Sequence, residues 1–289
     1  MTASRLQERV ISHEGGRLRY LIGGEGPPMV LCHGFIGSAE NFDEWFDALL
    51  PRRTVVAPDL PGFGSSSPAR GRHTAMTMAQ AALAAARDAG IAEDGFDIGG
   101  LCLGAPAALA LQRLRPQQTR SLVLHTPLLA PQLVRRRFHL QVAVMLAPGV
   151  YPAMIWLSHQ RRVSDLYKRF MVEGSEVDPE AALLNFQNQV RADVRATREW
   201  LRDGLRRDDL AQVRQSIARV LVLAAKHDRI VDVGAVQIAL RSAPNAQLVL
   251  MREGGHAWTR EMVDAQRTVI AAFLDGAPIP QTRLTDIAA

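Results

Sequence analysis

Phe96-Asp97-Ile98-Gly99-Gly100-Leu101-Cys102-Leu103-Gly104 is the stretch on which the reading of this chain turns. Its first three residues read as a short buried strand that runs into Gly99-Gly100, and Leu103 to Leu114 reads as a helix. Glycines two before and two after Cys102 permit a tight strand-to-helix turn that exposes the middle side chain above a sheet. The helix N-terminus beneath adds a partial positive charge, which favours an anion such as a thiolate. The same pentapeptide also fits a Gly-rich turn around a buried, inert cysteine.

Working outward, short apolar runs alternate with helical stretches. Arg17–Ile22, Met29–Cys32, Thr54–Ala57 and Ser121–Leu124 read as strands, and Thr74–Ala89 as a helix. Mostly apolar strands alternating with helices imply α/β architecture, a largely parallel sheet covered on both faces. The pattern changes from Pro127 to Ala211, where long amphipathic stretches (Val134–Met145, Pro179–Val194, Arg195–Arg207) replace strands. Arg219–Ala224, Val233–Arg241, Gln247–Leu250 and Val263–Leu274 then restore the alternation. The expected organisation is one core from residues 1–126 and 212–289, with 127–211 as a helical insertion. Pro-rich Gly276–Gln281 ends the last helix, and the tail beyond it reads as loose.

Composition narrows the function classes. The 289 residues are 47% apolar and 22% charged, ordinary for a globular chain. The longest apolar stretch, Val142–Leu157, is broken by Pro148-Gly149 and Pro152, short of the roughly 20 residues a spanning helix needs. The N-terminus has no apolar signal-like run, which points to a cytoplasmic protein. Net charge is +5, but the basic residues are interleaved with acids and form no stripe on a reading module, so no nucleic-acid partner is expected. Two cysteines, Cys32 and Cys102, suit buried or catalytic thiols better than a structural disulfide. Without a P-loop, a dinucleotide fingerprint or clustered metal ligands, no cofactor is expected. Oligomeric state is not legible.

Further motifs fall at strand ends. His33-Gly34-Phe35 follows one strand and Asp59-Leu60-Pro61-Gly62-Phe63-Gly64 the next; Lys226-His227-Asp228 and Gly254-Gly255-His256 follow the last two. The order along the chain is nucleophile, acid, histidine. In this the sequence resembles the α/β-hydrolase fold, in its form with a helical cap, over essentially its whole length. The resemblance implies Cys102 as nucleophile, His256 as general base and Asp228 as the acid that orients it. It implies an oxyanion hole from the backbone N–H groups of Phe35 and Leu103.

Such a constellation performs acyl transfer through a thioester on the cysteine. The expected substrate is a small hydrophobic or aromatic ester, lactone or thioester. An acyltransferase or polyester-synthase-like enzyme using the same cysteine, and a carbon–carbon bond hydrolase, are the alternatives. A binding protein descended from the fold would not need all three residues. Most such enzymes carry serine at the elbow. Relatives with aspartate there work by displacement, a role cysteine does not fit.

Other residues have structural readings. Asp228 could cap the helix that begins at Val233, although Asp232 is better placed. His33 and Asp59 read as turn-shaping residues, and Cys32 as inert core. His125, at a strand end, reads equally as pocket lining or as structure. Met145, Tyr151, Met154, Trp156 and Trp258 are candidate pocket wall. The apolar Leu140–Leu157 run, flanked by Arg135–Arg137 and Arg161-Arg162, reads as a lid over an acyl pocket, a packed helix, or an edge that touches lipid.

Overall fold

Strands that are apolar at every position need cover on both faces, and these have it. The computed structural model describes residues 6–167, 179–256 and 260–288. Val30, Cys32, Val56, Ile98, Leu122, Leu124, Val220 and Val222 enter one layer of the core. Met29, Leu31, Val55, Ala57, Val123, Leu221 and Leu223 enter the other. This is the period of two expected of a strand with both faces buried. Each Val, Leu, Ile or Met among them contributes about 1.5–3 kcal/mol by leaving water.

The strands are β1 (Leu6–His13), β2 (Gly16–Gly23), β3 (Pro28–Cys32), β4 (Thr54–Pro58), β5 (Phe96–Leu101), β6 (Thr119–His125), β7 (Arg219–Ala225), β8 (Ala246–Met251) and β9 (Thr285–Ala288). They form one sheet in the order β1-β2-β4-β3-β5-β6-β7-β8-β9. From β4 to β8 every pairing is parallel, while β1, β2 and β9 run antiparallel to their neighbours. β3 lies between β4 and β5, so the order of strands reverses there. The chain goes from β3 to β4 through α1 (Asp43–Leu49) on one face and from β4 to β5 through α2 (Ala75–Asp88) on the other. Such a reversal opens a crevice at the carboxyl ends of the two central strands. α3 (Gly104–Leu114) starts at that crevice, directly after β5.

Between β6 and β7 the described chain is helical: α4 (Arg136–Met145), α5 (Val150–Ser158), α6 (Arg161–Tyr167), α7 (Pro179–Arg191), α8 (Val194–Gly204) and α9 (Leu210–Gln215). α4 and α5 meet at a 100° bend around Pro148-Gly149, and no single described helix is long and apolar enough to cross a membrane. α8 is fastened to the core. The Asp193 N–H donates to the Gly62 carbonyl (2.8 Å), Asp203 accepts from the Ala75 N–H at the start of α2 (2.8 Å), and His73 Nδ1 meets Glu199 at 2.8 Å.

α10 (Val233–Leu240) and α11 (Arg260–Leu274) complete the fold. The tail corrects one expectation: Thr285–Ala288 is a strand paired with β8. β1 was missed as well, because its outer residues are largely exposed and LQERVISH carries no apolar alternation.

Candidate active site

Cys102 stands at the turn between β5 and α3 with φ +51, a left-handed conformation that costs a non-glycine residue on the order of 1–3 kcal/mol. The turn is held by the Cys102 N–H donating to the His125 carbonyl (2.9 Å) and the Ala105 N–H donating to the Cys102 carbonyl (3.2 Å). Both flanking glycines are required by space. A Cβ on Gly100 would lie 2.7 Å from the Gly104 carbonyl oxygen, and one on Gly104 would overlap the backbone carbonyls of Cys32 and His33. The G-x-C-x-G spacing therefore packs the elbow directly against the end of β3. Cys102 is partly accessible, whereas Cys32 is buried and its thiol is pushed up to about 12 by that burial.

The turn after β7 carries Asp228, which is 2% exposed. Its Oδ1 accepts the N–H groups of Ile230 (2.7 Å) and Val231 (2.8 Å), leaving Oδ2 to meet His256 Nδ1 at 2.8 Å. Asp228 does not cap α10; Asp232 does, accepting from the Ala235 N–H. Burial alone would raise the Asp228 carboxyl, but His256 and the two N–H groups outweigh it and hold it below its ordinary value. The turn after β8 is tied to this one by the His227 N–H donating to the Gly254 carbonyl.

Burial opposes the protonated form of His256, yet Asp228 and then Cys102 overcome it and raise the imidazole well above its usual pKa. Its Nε2 is buried with no hydrogen-bond partner among the described residues. An orphaned buried nitrogen of this kind needs an explanation, and a reacting group beside it is one.

His33 shapes the opposite wall. It is fully buried, its Nδ1 meets the Gly34 carbonyl (2.8 Å), and its Nε2 accepts the Leu60 N–H (2.9 Å). Its ring lies edge-on to Phe63 and Trp200. This fixes the 33–37 turn, in which Ile36 has φ +53 and the Gly37 N–H donates to the Gly34 carbonyl. The N–H groups of Phe35 and Leu103 take part in no backbone hydrogen bond among the described residues. Asp59 is likewise structural: it accepts from Arg19, the Ala39 N–H and the Ser65 N–H.

The residues expected to line a pocket have diverse places. His125 is 2% exposed and is engaged with Thr126 (3.2 Å) and Gln266 (3.1 Å), its ring edge-on to Trp45. Burial, then the nearby His256 charge, hold it down at about 3, so it is a neutral ring packed toward α1 and α11. Tyr151 is a strut between α5 and α8, its hydroxyl donating to the Val194 carbonyl (2.8 Å). Trp156 is 65% exposed. Met145 packs against the core layer of α2 and α3, and Met154 is half-buried. Trp258 lies outside the described residues. Ser38, Asn41 and Asn188 were missed, although S-x-x-N after the His33-Gly34 turn is a helix-start signature. Among the described residues, no three of His, Cys, Asp and Glu gather as a metal-ligating group.

Comparison with known proteins agrees with this fold. The chain is 29% identical over 247 residues to a 2-hydroxymuconate semialdehyde hydrolase of Pseudomonas putida, covering 82% of this chain and 83% of that one. It is 28% identical over 244 residues to a pimeloyl-[acyl-carrier protein] methyl ester esterase of Xanthomonas campestris, covering 81% and 89%. Among solved structures, an esterase from Exiguobacterium antarcticum superposes with a TM-score of 0.76 at 16% identity, over 93% of this chain and 100% of that one. Residues 27–258 match the family model described as alpha/beta hydrolase fold, and the chain belongs to that family.

Proposed function

We propose that the chain cleaves a carboxylic ester, lactone or thioester with a hydrophobic acyl or aromatic part, through a thioester formed on Cys102. The observation that carries this is the Asp228–His256 pair, which leaves the other imidazole nitrogen buried, unpartnered among the described residues and under the influence of the Cys102 sulfur. In the forward step the Cys102 thiolate attacks the carbonyl carbon, and the carbonyl oxygen takes the negative charge. The N–H groups of Phe35 and Leu103 receive that oxyanion, each worth about 2.7–4 kcal/mol by the usual deletion measure. Protonated His256 gives its proton to the leaving alcohol or thiol, and the acyl group remains on sulfur. Water then attacks the thioester while His256 takes its proton. The second tetrahedral species releases the acid and the thiolate. Asp228 holds the imidazole tautomer and stabilises its charged form in both halves.

Residues 127–211 serve in this reading as a cap over the core. The relative named for a methyl ester supports the substrate class, and another is named for 2-hydroxymuconate semialdehyde. The latter favours carbon–carbon bond hydrolysis as the second reading. An acyltransferase would share the first half-reaction and differ in what enters the pocket next.

Intact-protein mass spectrometry after acid quenching tests the proposal, with p-nitrophenyl esters and acyl thioesters on the parent chain, Cys102→Ala and Cys102→Ser. The expected result is an acyl adduct that needs Cys102 and decays in water with product release. An adduct that waits for an added alcohol or thiol identifies the acyltransferase. Undiminished turnover in Cys102→Ala refutes the nucleophile.

A further inference from the structure

The loop that carries the Phe35 N–H is fastened from two directions. From the core side, His33 is fixed by Leu60 and Gly34, and the Ala39 N–H donates to Asp59. From the other side comes α7, distant in sequence. Asn188 on that helix is 1% exposed. Its Nδ2 donates to Ser38 Oγ (3.2 Å) and to Asn41 Oδ1 (3.1 Å). Asn41 Oδ1 also accepts the Ser38 N–H (2.8 Å), and Asn41 Nδ2 reaches Asn185 Oδ1 (3.3 Å) on the same face of α7. Four polar side chains thus form one closed network across the joint between insertion and core.

A buried amide with both hydrogens spent on a single loop is a costly arrangement unless the loop needs holding. This loop does. It contains Ile36, a β-branched residue at φ +53, a conformation that persists only where the surroundings over-determine it. Asn188 fixes the downstream end of that turn at Ser38, and the Gly37-to-Gly34 hydrogen bond passes the constraint to the peptide of Phe35. We propose that Asn188 is a positioning residue for the oxyanion hole: α7 sets the direction of the Phe35 N–H through Ser38 and Asn41. This rests on the reading of Phe35 as an oxyanion donor. It makes the hole dependent on the docked position of α7.

Two reactions of the same thiol separate this role from a general one. Acylation of Cys102 by p-nitrophenyl butyrate passes through an oxyanion; alkylation by iodoacetamide is displacement at carbon and does not. In Asn188→Ala the burst of p-nitrophenol should slow by roughly 10- to 100-fold with KM little changed, the effect of a misplaced catalytic group. Iodoacetamide labelling should keep the parent rate. Asn188→Leu keeps the size and adds no buried charge but lacks both donors, so it should be as slow as Asn188→Ala; a side chain that only filled space would tolerate it. Ser38→Ala removes one acceptor and leaves α7 intact, and it should slow the burst by a smaller factor, with an unchanged thermal midpoint as the check on folding. Parent-like acylation in Asn188→Leu, equal loss of acylation and alkylation, or a parent-like burst in Ser38→Ala would each overturn the proposal. A parent chain that iodoacetamide labels but no ester acylates would fail one step earlier, removing the reading of the site and the proposal with it.

Discussion

Replacing Gly104 by alanine adds one methyl group at the point where the elbow meets β3. The backbone of Gly104 is helical, so the change carries no φ penalty, and alanine in a helix is ordinarily better than glycine by about 0.5–1 kcal/mol. Space decides otherwise. The new Cβ would overlap the Cys32 carbonyl oxygen and lie 2.5 Å from that of His33; both are backbone atoms, which cannot rotate away. Overpacking of this kind costs about 1–3 kcal/mol. Relief requires α3 and the end of β3 to separate, moving the Leu103 and Phe35 N–H groups apart, and a displacement near 1 Å in such a site costs on the order of 100-fold in rate. Gly71→Ala is the control, since nothing lies within 4 Å of its Cβ and its φ is not positive. That change should leave stability the same or raise it by about 0.4–1 kcal/mol. Urea denaturation and the burst of Cys102 acylation measure the two effects together. Gly104→Ala with parent stability and parent acylation would refute the steric reasoning.

Asp228→Asn removes the group that most raises His256 and lets burial dominate, so the alkaline limit set by protonated His256 should move toward acid and kcat should fall by roughly 10³–10⁴. The pH profile of kcat/KM checks it, and an unmoved limb contradicts it. Acid should destabilise the fold through His125, whose folded-state value of about 3 is depressed by burial while the unfolded chain takes up its proton near 6.5. Stability from this ring is present above 6.5 and declines as pH falls toward 3, by roughly 3 kcal/mol at pH 4.5. A His125→Gln variant should show a correspondingly shallower fall in urea stability between pH 7 and 4.5, and an equal fall contradicts the assignment. Trp156→Ser should leave kcat/KM for a short p-nitrophenyl ester within about twofold, because the ring is solvent-facing. If the outer face of α4 and α5 meets lipid, the same change lowers retention on anionic vesicles.

What the sequence showed and what it hid divide along the range of the interactions. Gly100, Cys102 and Gly104 are legible because the need for glycine arises within five residues, where spacing is itself geometry. The apolar strands are legible for a similar reason: burial on both faces leaves no polar positions, and β3, β5, β6 and β7 show none beyond Asp97, Ser121 and strand-end residues such as Arg120 and Arg219. β1 and β9 lie at the sheet edges, and their pairing comes from neighbours' free backbone groups more than from their own side chains. His125 is at a strand end as expected, but a strand end does not say which face a ring takes; Trp45 and Gln266, far away in sequence, do. The exposure of Trp156 was hidden because an apolar helix has no unique inner face until its neighbours are packed.

Asn188 is the extreme case. In sequence it is a polar residue in an amphipathic helix, indistinguishable from an exposed one such as Gln187, and only contact with a loop 150 residues earlier gives it the proposed role. The parts of a site set by local backbone can be read from order and spacing. The parts proposed to set the direction of the Phe35 N–H come from where two distant segments dock, and the Asn188 experiments address that docking directly.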